Sequence, residues 1–150
     1  MNKLKILFLC TGNSCRSQMA EGFTRALKGG VIEAYSAGTE PKTLDQRAVK
    51  VMAEAGIDIS SHTSKRVSDL GDIPFDHVIT VCGHAAETCP FFPGKTRVTH
   101  AGFEDPPLLA REARTEEEAL AHYRRVRDEI RAYVESLPGS LDRGGFIINT

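Results

Sequence analysis

Four cysteines stand in this 150-residue chain, and two of them share the stretch CTGNSCRS, Cys10 to Ser17, with an arginine and no bulky side chain. A thiol, a guanidinium and a run of small residues are the parts of a nucleophile set in an anion cradle. Small residues let successive backbone N–H groups converge on one point, and a helix starting there adds its positive end. Arg16 offers a planar fork for two anion oxygens. The same positive field lowers the Cys10 pKa and favours its thiolate, and Ser17 is placed to donate a hydroxyl hydrogen bond to that sulfur. The candidate oxyanion-binding set is therefore Thr11, Gly12, Asn13, Ser14, Cys15, Arg16 and Ser17. Cys15 has no evident chemical partner and reads as a packed thiol. A zinc site made from all four cysteines fits poorly. Its pairs would have four and six intervening residues, where zinc-binding pairs usually have about two to four.

A nucleophile at Cys10 needs an element to aim it. The run Leu4 to Leu9 is apolar but for Lys5, which suits a buried parallel strand that delivers Cys10 to the loop. Met19, Ala20, Phe23, Ala26 and Leu27 follow at helical spacing and stop at Gly29-Gly30. VIEAYSA reads as a second strand. Leu44, Ala48, Val51, Met52 and Ala55 mark one face of a second helix, with Thr43 and Gln46 as its capping box and Gly56 as its stop. HVITVC, His77 to Cys82, and TRVTH, ending at His100, are third and fourth strands. The Pro- and Gly-rich loop between them carries the other two cysteines, Cys82 and Cys89. Thr115 to Glu118 is a further capping box, opening a helix to about Ser136 with Leu120, Tyr123, Val126, Ile130 and Val134 inward and Pro138-Gly139 at its end. The tail SLDRGGFIINT either frays or docks. Strands alternating with helices predict an α/β fold over residues 1–150 as one domain. The expected form is three-layered, a four-stranded parallel sheet with helices on both faces. Ligands of such sheets bind beyond the carboxyl ends of the strands, where Cys10 lies.

Bulk properties narrow the partners. Nineteen Lys and Arg nearly balance twenty Asp and Glu, so the chain has no electrostatic footprint for nucleic acid. The longest uninterrupted apolar run, Ile6 to Cys10, is too short for a membrane span, and the first residues do not open a secretory signal. A cytoplasmic protein follows, and in a reducing compartment its cysteines are catalytic or metal-binding more often than structural.

Cys10-x5-Arg16-Ser17 after a first strand, in the string CTGNSCRSQMAEG, resembles the phosphate-binding loop of the low-molecular-weight protein tyrosine phosphatases. Asp105, in GFEDPP, stands where that superfamily keeps an Asp-Pro general acid, which protonates a leaving oxygen. Cys82 and Cys89 in VCGHAAETCP, together with HAGFEDPP and GIDISSHTS, extend the likeness to the thioredoxin-coupled arsenate reductases built on this scaffold, over nearly the whole chain. That resemblance implies reduction of arsenate to arsenite. Cys10 attacks arsenic, Cys82 attacks the Cys10 sulfur, and Cys89 takes over the disulfide, which thioredoxin then reduces. It implies catalytic Cys10, Arg16, Asp105, Cys82 and Cys89, no metal, no tightly bound cofactor, and a monomer. Two alternatives stand beside it. One is a tyrosine phosphatase, which has no need of Cys82 and Cys89 and usually has aromatic residues after its Asp-Pro, absent from DPPLL. The other is a non-enzymatic thiol or oxyanion sensor.

Asn13, Ser17, Glu21 and Ser36 match positions that hold the loop in shape in some members, in part around potassium, and Lys65 replaces an acidic ligand there. An ammonium near Glu21 and Asn13 substitutes for the cation, so potassium is not required. His84 falls where relatives carry an acidic or small polar residue, and Ala101 where they carry an aromatic one. His62 is given no catalytic role, and the Arg- and Glu-rich last helix reads as a solvated face.

Overall fold

Strand β1 (Leu4–Cys10) sits inside the sheet, with Ile6, Leu7, Phe8 and Leu9 wholly buried. Both its faces are covered, which is why its apolar residues run consecutively instead of alternating. In the computed structural model, which describes residues 2–87, 89–90, 92 and 95–142, β1 pairs in parallel with β2 (Ile32–Gly38) and β3 (His77–Thr80). Strand β4 (Arg97–His100) lies outside β3, giving the order β2-β1-β3-β4. The expected α/β class and four-stranded parallel sheet are therefore present.

Parallel neighbours need crossovers. Helix α1 (Arg16–Lys28) links β1 to β2, α2 (Gln46–Glu54) and a 3-10 turn (Val67–Leu70) precede β3, and α3 (Gly83–Glu87) precedes β4. The chain then makes α4 (Pro106–Ala110), α5 (Glu116–Glu135) and α6 (Gly139–Asp142). The order puts β2 on one side of β1 and β3 with β4 on the other, so the connections leave in opposite directions and open a crevice at the carboxyl ends of β1 and β3. Leu9 is level with Thr80, and the chain carrying Cys10 leaves the sheet beside the chain carrying Cys82.

Several local expectations change. In α1, Met19, Ala20 and Phe23 are buried but Ala26 and Leu27 are exposed, while every residue from Ser17 to Thr24 is buried. The amino-terminal half of the helix is enclosed all round. At Gly22 a Cβ would come 2.8 Å from Ile59 Cγ2, so the missing side chain is what lets the 57–59 segment close over the helix. The carboxyl-terminal half emerges into solvent, and its apolar residues have nothing to face. Strand β3 stops at Thr80, two residues short of Cys82, because the chain turns there into α3.

Helix α2 is capped by Asp45, whose Oδ1 accepts the Arg47 N–H at 2.9 Å, and not by Thr43, which lies outside the helix. At α5, Thr115 Oγ1 accepts the Glu118 N–H as a cap should, but Glu118 accepts the Arg114 N–H instead of closing the box. The inward set Leu120, Tyr123, Val126, Ile130 and Val134 is buried, and Arg125–Glu129 and Arg131–Glu135 pair along the outer face. Residues 140–142 of the tail belong to α6; 143–150 lie outside the described residues. No described helix is long and apolar enough to cross a membrane.

Candidate active site

The loop after Cys10 is shaped by a strap, residues 39–45, lying against its outer side. Backbone N–H groups of Thr39, Glu40, Lys42 and Asp45 donate to the carbonyls of Cys10, Thr11, Gly12 and Ser14 at 2.8–3.1 Å. The remaining carbonyl, that of Asn13, accepts from Ser64 Oγ at 2.6 Å and Gln18 Nε2 at 3.0 Å. In a planar trans peptide the N–H points opposite to its C=O. With the carbonyls of residues 10–14 engaged on the outside, the N–H groups of residues 11–15 are turned to the inside, and that of Thr11 favours the charged form of the Cys10 sulfur. Inward N–H groups of this kind are what an oxyanion cradle requires.

Asn13 makes the turn possible. Its φ of 50° is a left-handed conformation that asparagine tolerates better than most residues. Its fully buried side chain donates to Ser17 Oγ at 2.8 Å and accepts from the Lys65 N–H and Gln18 Nε2. Ser17 therefore serves Asn13, where the sequence had suggested a bond to Cys10. Gly38, beside the loop on β2, leaves room that a Cβ would fill, at 2.5 Å from the Thr11 carbonyl oxygen.

Arg16 opens α1. Its Nη1 donates to the Phe103 carbonyl at 2.7 Å and its Nη2 stands 3.6 Å from Asp105 Oδ1. Its Nε is buried with no partner among the described residues. A guanidinium held at one end and orphaned at another is a donor awaiting an acceptor, since buried polar groups are normally satisfied. Asp105 precedes Pro106 at the start of α4, with its carboxyl unengaged by that helix. Cys10, Gly12, Arg16, Cys82 and Asp105 all line one cavity of about 720 Å³, large enough for a tetrahedral oxyanion and water.

Cys82 completes the pair. Its sulfur is 3.2 Å from Thr11 Oγ1, accepts the Ala85 N–H at 3.3 Å and lines the same cavity as Cys10. The Cys10 thiol foremost, and then these contacts, pull its pKa down to about 5 despite burial. Cys10 is pushed up, by Cys82 first and burial second, against Arg16 and the Thr11 N–H. Cys82 is thus the thiol whose surrounding donors favour the charged form, while burial works against it at Cys10.

Cys89 lies half-buried beyond α3, its thiol donating to the Pro90 carbonyl at 3.5 Å, and burial raises its pKa. Cys15 is buried, and desolvation with Asp45 nearby pushes its thiol up, which keeps it protonated. His84, half-exposed, approaches Glu40 of the strap at 3.5 Å. Ala101 is buried just beyond β4.

Around the loop, Glu21 and Lys65 have partners of their own. Buried Glu21 accepts from Ser36 Oγ, but the cation against it is Arg25, 2.7 Å away, one turn along α1. Lys65 Nζ turns to the Thr63 carbonyl at 2.9 Å, close enough to feel Glu21 electrostatically, while burial lowers its pKa. Gln18, held between Asn13 and His62 Nδ1, also escaped the sequence reading, as did Arg25 and the strap. Of these only the glutamate–arginine i,i+4 spacing was a visible signal.

Comparison with known proteins agrees with this geometry. The family model described as low molecular weight phosphotyrosine protein phosphatase matches residues 5–145. The chain is 50% identical to an arsenate reductase of Halalkalibacterium halodurans over 130 residues, covering 87% of this chain and 91% of that one. It is 52% identical to an arsenate reductase of Bacillus subtilis over 130 residues, covering 86% and 90%. A solved arsenate reductase in the oxidized state is 33% identical and superimposes with a TM-score of 0.73 over 89% of this chain and 95% of the other. With its cysteine-to-arginine loop between β1 and α1 and its Asp-Pro pair at the mouth of the same cavity, the chain belongs to the low molecular weight phosphotyrosine protein phosphatase family.

Proposed function

We propose that this protein reduces arsenate to arsenite through Cys10, Cys82 and Cys89, with thioredoxin returning it to the dithiol state. The observation that carries the reading is the contact of Cys82 with Thr11, which brings a second thiol into the cavity that Cys10 lines. Hydrolysis of a phosphate ester has no use for it. The relatives named arsenate reductase support the substrate, and a structural neighbour from Corynebacterium glutamicum described as thioredoxin-dependent motivates the choice of electron donor.

Arsenate enters the cradle against the inward N–H groups and Arg16. The Cys10 sulfur attacks arsenic, Asp105 protonates the departing hydroxyl, which leaves as water, and the thiol proton restores the Asp105 carboxyl. The Cys82 thiolate then attacks the Cys10 sulfur. A Cys10–Cys82 bond forms, the sulfur–arsenic bond breaks with its electron pair on arsenic, and arsenic falls from +5 to +3. Cys89 attacks Cys82, Cys10 departs as thiolate, and the Cys82–Cys89 disulfide receives two electrons from the external dithiol. No metal or organic cofactor takes part. The protein works as a cytoplasmic monomer and needs no potassium, because Arg25 and Lys65 supply positive charge beside Glu21.

The test is arsenate-dependent NADPH oxidation with thioredoxin and thioredoxin reductase. Cys10→Ser, Cys82→Ser and Cys89→Ser should each abolish sustained turnover; wild-type rates in either of the last two would refute the relay. Hydrolysis of p-nitrophenyl phosphate, a weak by-product of the shared loop, should be lost in Cys10→Ser and kept in the other two.

A further inference from the structure

The strap that turns the loop carbonyls outward has to be held in place, and its last residue is where it is fastened. Asp45 makes three connections at once. Its N–H donates to the Ser14 carbonyl at 2.9 Å, its Oδ1 caps α2 through Arg47, and its Oδ2 accepts the Tyr123 hydroxyl at 2.6 Å. Tyr123 is 1% exposed, on the inward face of the long helix α5. Asp45 also lines the anion cavity, where a carboxylate would repel an oxyanion unless its oxygens were engaged elsewhere.

We propose that Asp45 and Tyr123 are a positioning pair for the oxyanion cradle. Tyr123 anchors the strap to α5, so that the Ser14 carbonyl stays outward and the Cys15 N–H inward, and it turns one carboxylate oxygen of Asp45 away from the incoming anion. Neither residue touches the reacting atoms. The pair acts on binding, which is felt equally before and in the transition state, and therefore on KM and not on kcat. This inference rests on residues 10–17 being the anion cradle.

The measurement is the dissociation constant of inorganic phosphate by calorimetry on the reduced full-length protein, beside arsenate kinetics and thermal melting. Tyr123→Phe keeps the buried ring and removes one hydroxyl. It should weaken phosphate by about three- to tenfold, the worth of one hydrogen bond, and raise the arsenate KM by a similar factor with kcat unchanged. If Tyr123→Phe binds phosphate within about twofold of wild type, the proposal is overturned however far its melting temperature falls, since a merely structural role would move only the latter. A wild-type protein that fails to bind phosphate would sink the cradle assignment as well, which separates the two failures.

Discussion

Thr11 Oγ1 and Cys82 Sγ stand 3.2 Å apart, joining the first residue of the anion loop to the second thiol across the ends of two neighbouring strands. The contact stabilises negative charge on Cys82, together with the Cys10 thiol and the Ala85 N–H, and its pKa lies at about 5. A depressed pKa keeps the thiolate populated as pH falls toward that value and loses it below. Removing one donor raises the pKa and moves the acid limb to higher pH. Thr11→Val, which keeps the side chain's shape, should therefore shift the acid limb of Cys10–Cys82 disulfide formation upward, read by rapid quench and mass spectrometry after addition of arsenate. An unmoved limb would mean that Thr11 does not tune the sulfur.

Gly38 and Thr11 make a second testable contact. A methyl group at Gly38 would meet the Thr11 carbonyl oxygen at 2.5 Å and Asn13 N at 3.0 Å, both backbone atoms that cannot rotate aside. Gly38→Ala should cost about 1–3 kcal/mol in urea unfolding, the usual range for overpacking, and should weaken phosphate binding because the displaced atoms belong to the cradle. Unchanged stability and affinity together would show that the loop yields without consequence.

Glu21 carries the third. It is 3% exposed, with Ser36 and Arg25 as partners, so its charge is compensated without a bound cation. Exchanging potassium for sodium at constant ionic strength should leave kcat/KM for arsenate unchanged. In Arg25→Gln the same exchange should matter, with potassium partly restoring the loss. A marked potassium stimulation of the wild type would contradict the substitution of side chains for the ion.

Much of this was legible in the order of residues. The apolar run before Cys10, the small residues after it and the Arg at its end describe a strand, a tight loop and a helix start, and β1 and α1 stand on either side of that loop. What stayed hidden was partnership. Arg16 resting on the Phe103 carbonyl, Gln18 bridging Asn13 and His62, and Asp45 reaching Tyr123 join positions 87, 44 and 78 residues apart, beyond any local pattern. Thr43 looked like the cap of α2 because of its spacing to Gln46, but Asp45 is nearer and charged. Ala26 and Leu27 continued the helical period past the point where α1 leaves the core. Periodicity reports that a face repeats, and only tertiary structure says how far the neighbour extends along it. The meeting of Cys82 with Thr11 likewise depends on two segments that leave separate strands.

The register of β1 against β3, with Leu9 beside Thr80, also decides which parts of the chain can change length. Side chains alternate along a strand, so gaining or losing one residue between His77 and Thr80 would turn the strand's side chains to the opposite faces of the sheet. Between Cys82 and Cys89 the chain is no longer bound by that alternation. The strand that leads toward Cys82 is thus locked to the pleat and intolerant of insertion, whereas the bend and helix that follow it answer to no such alternation.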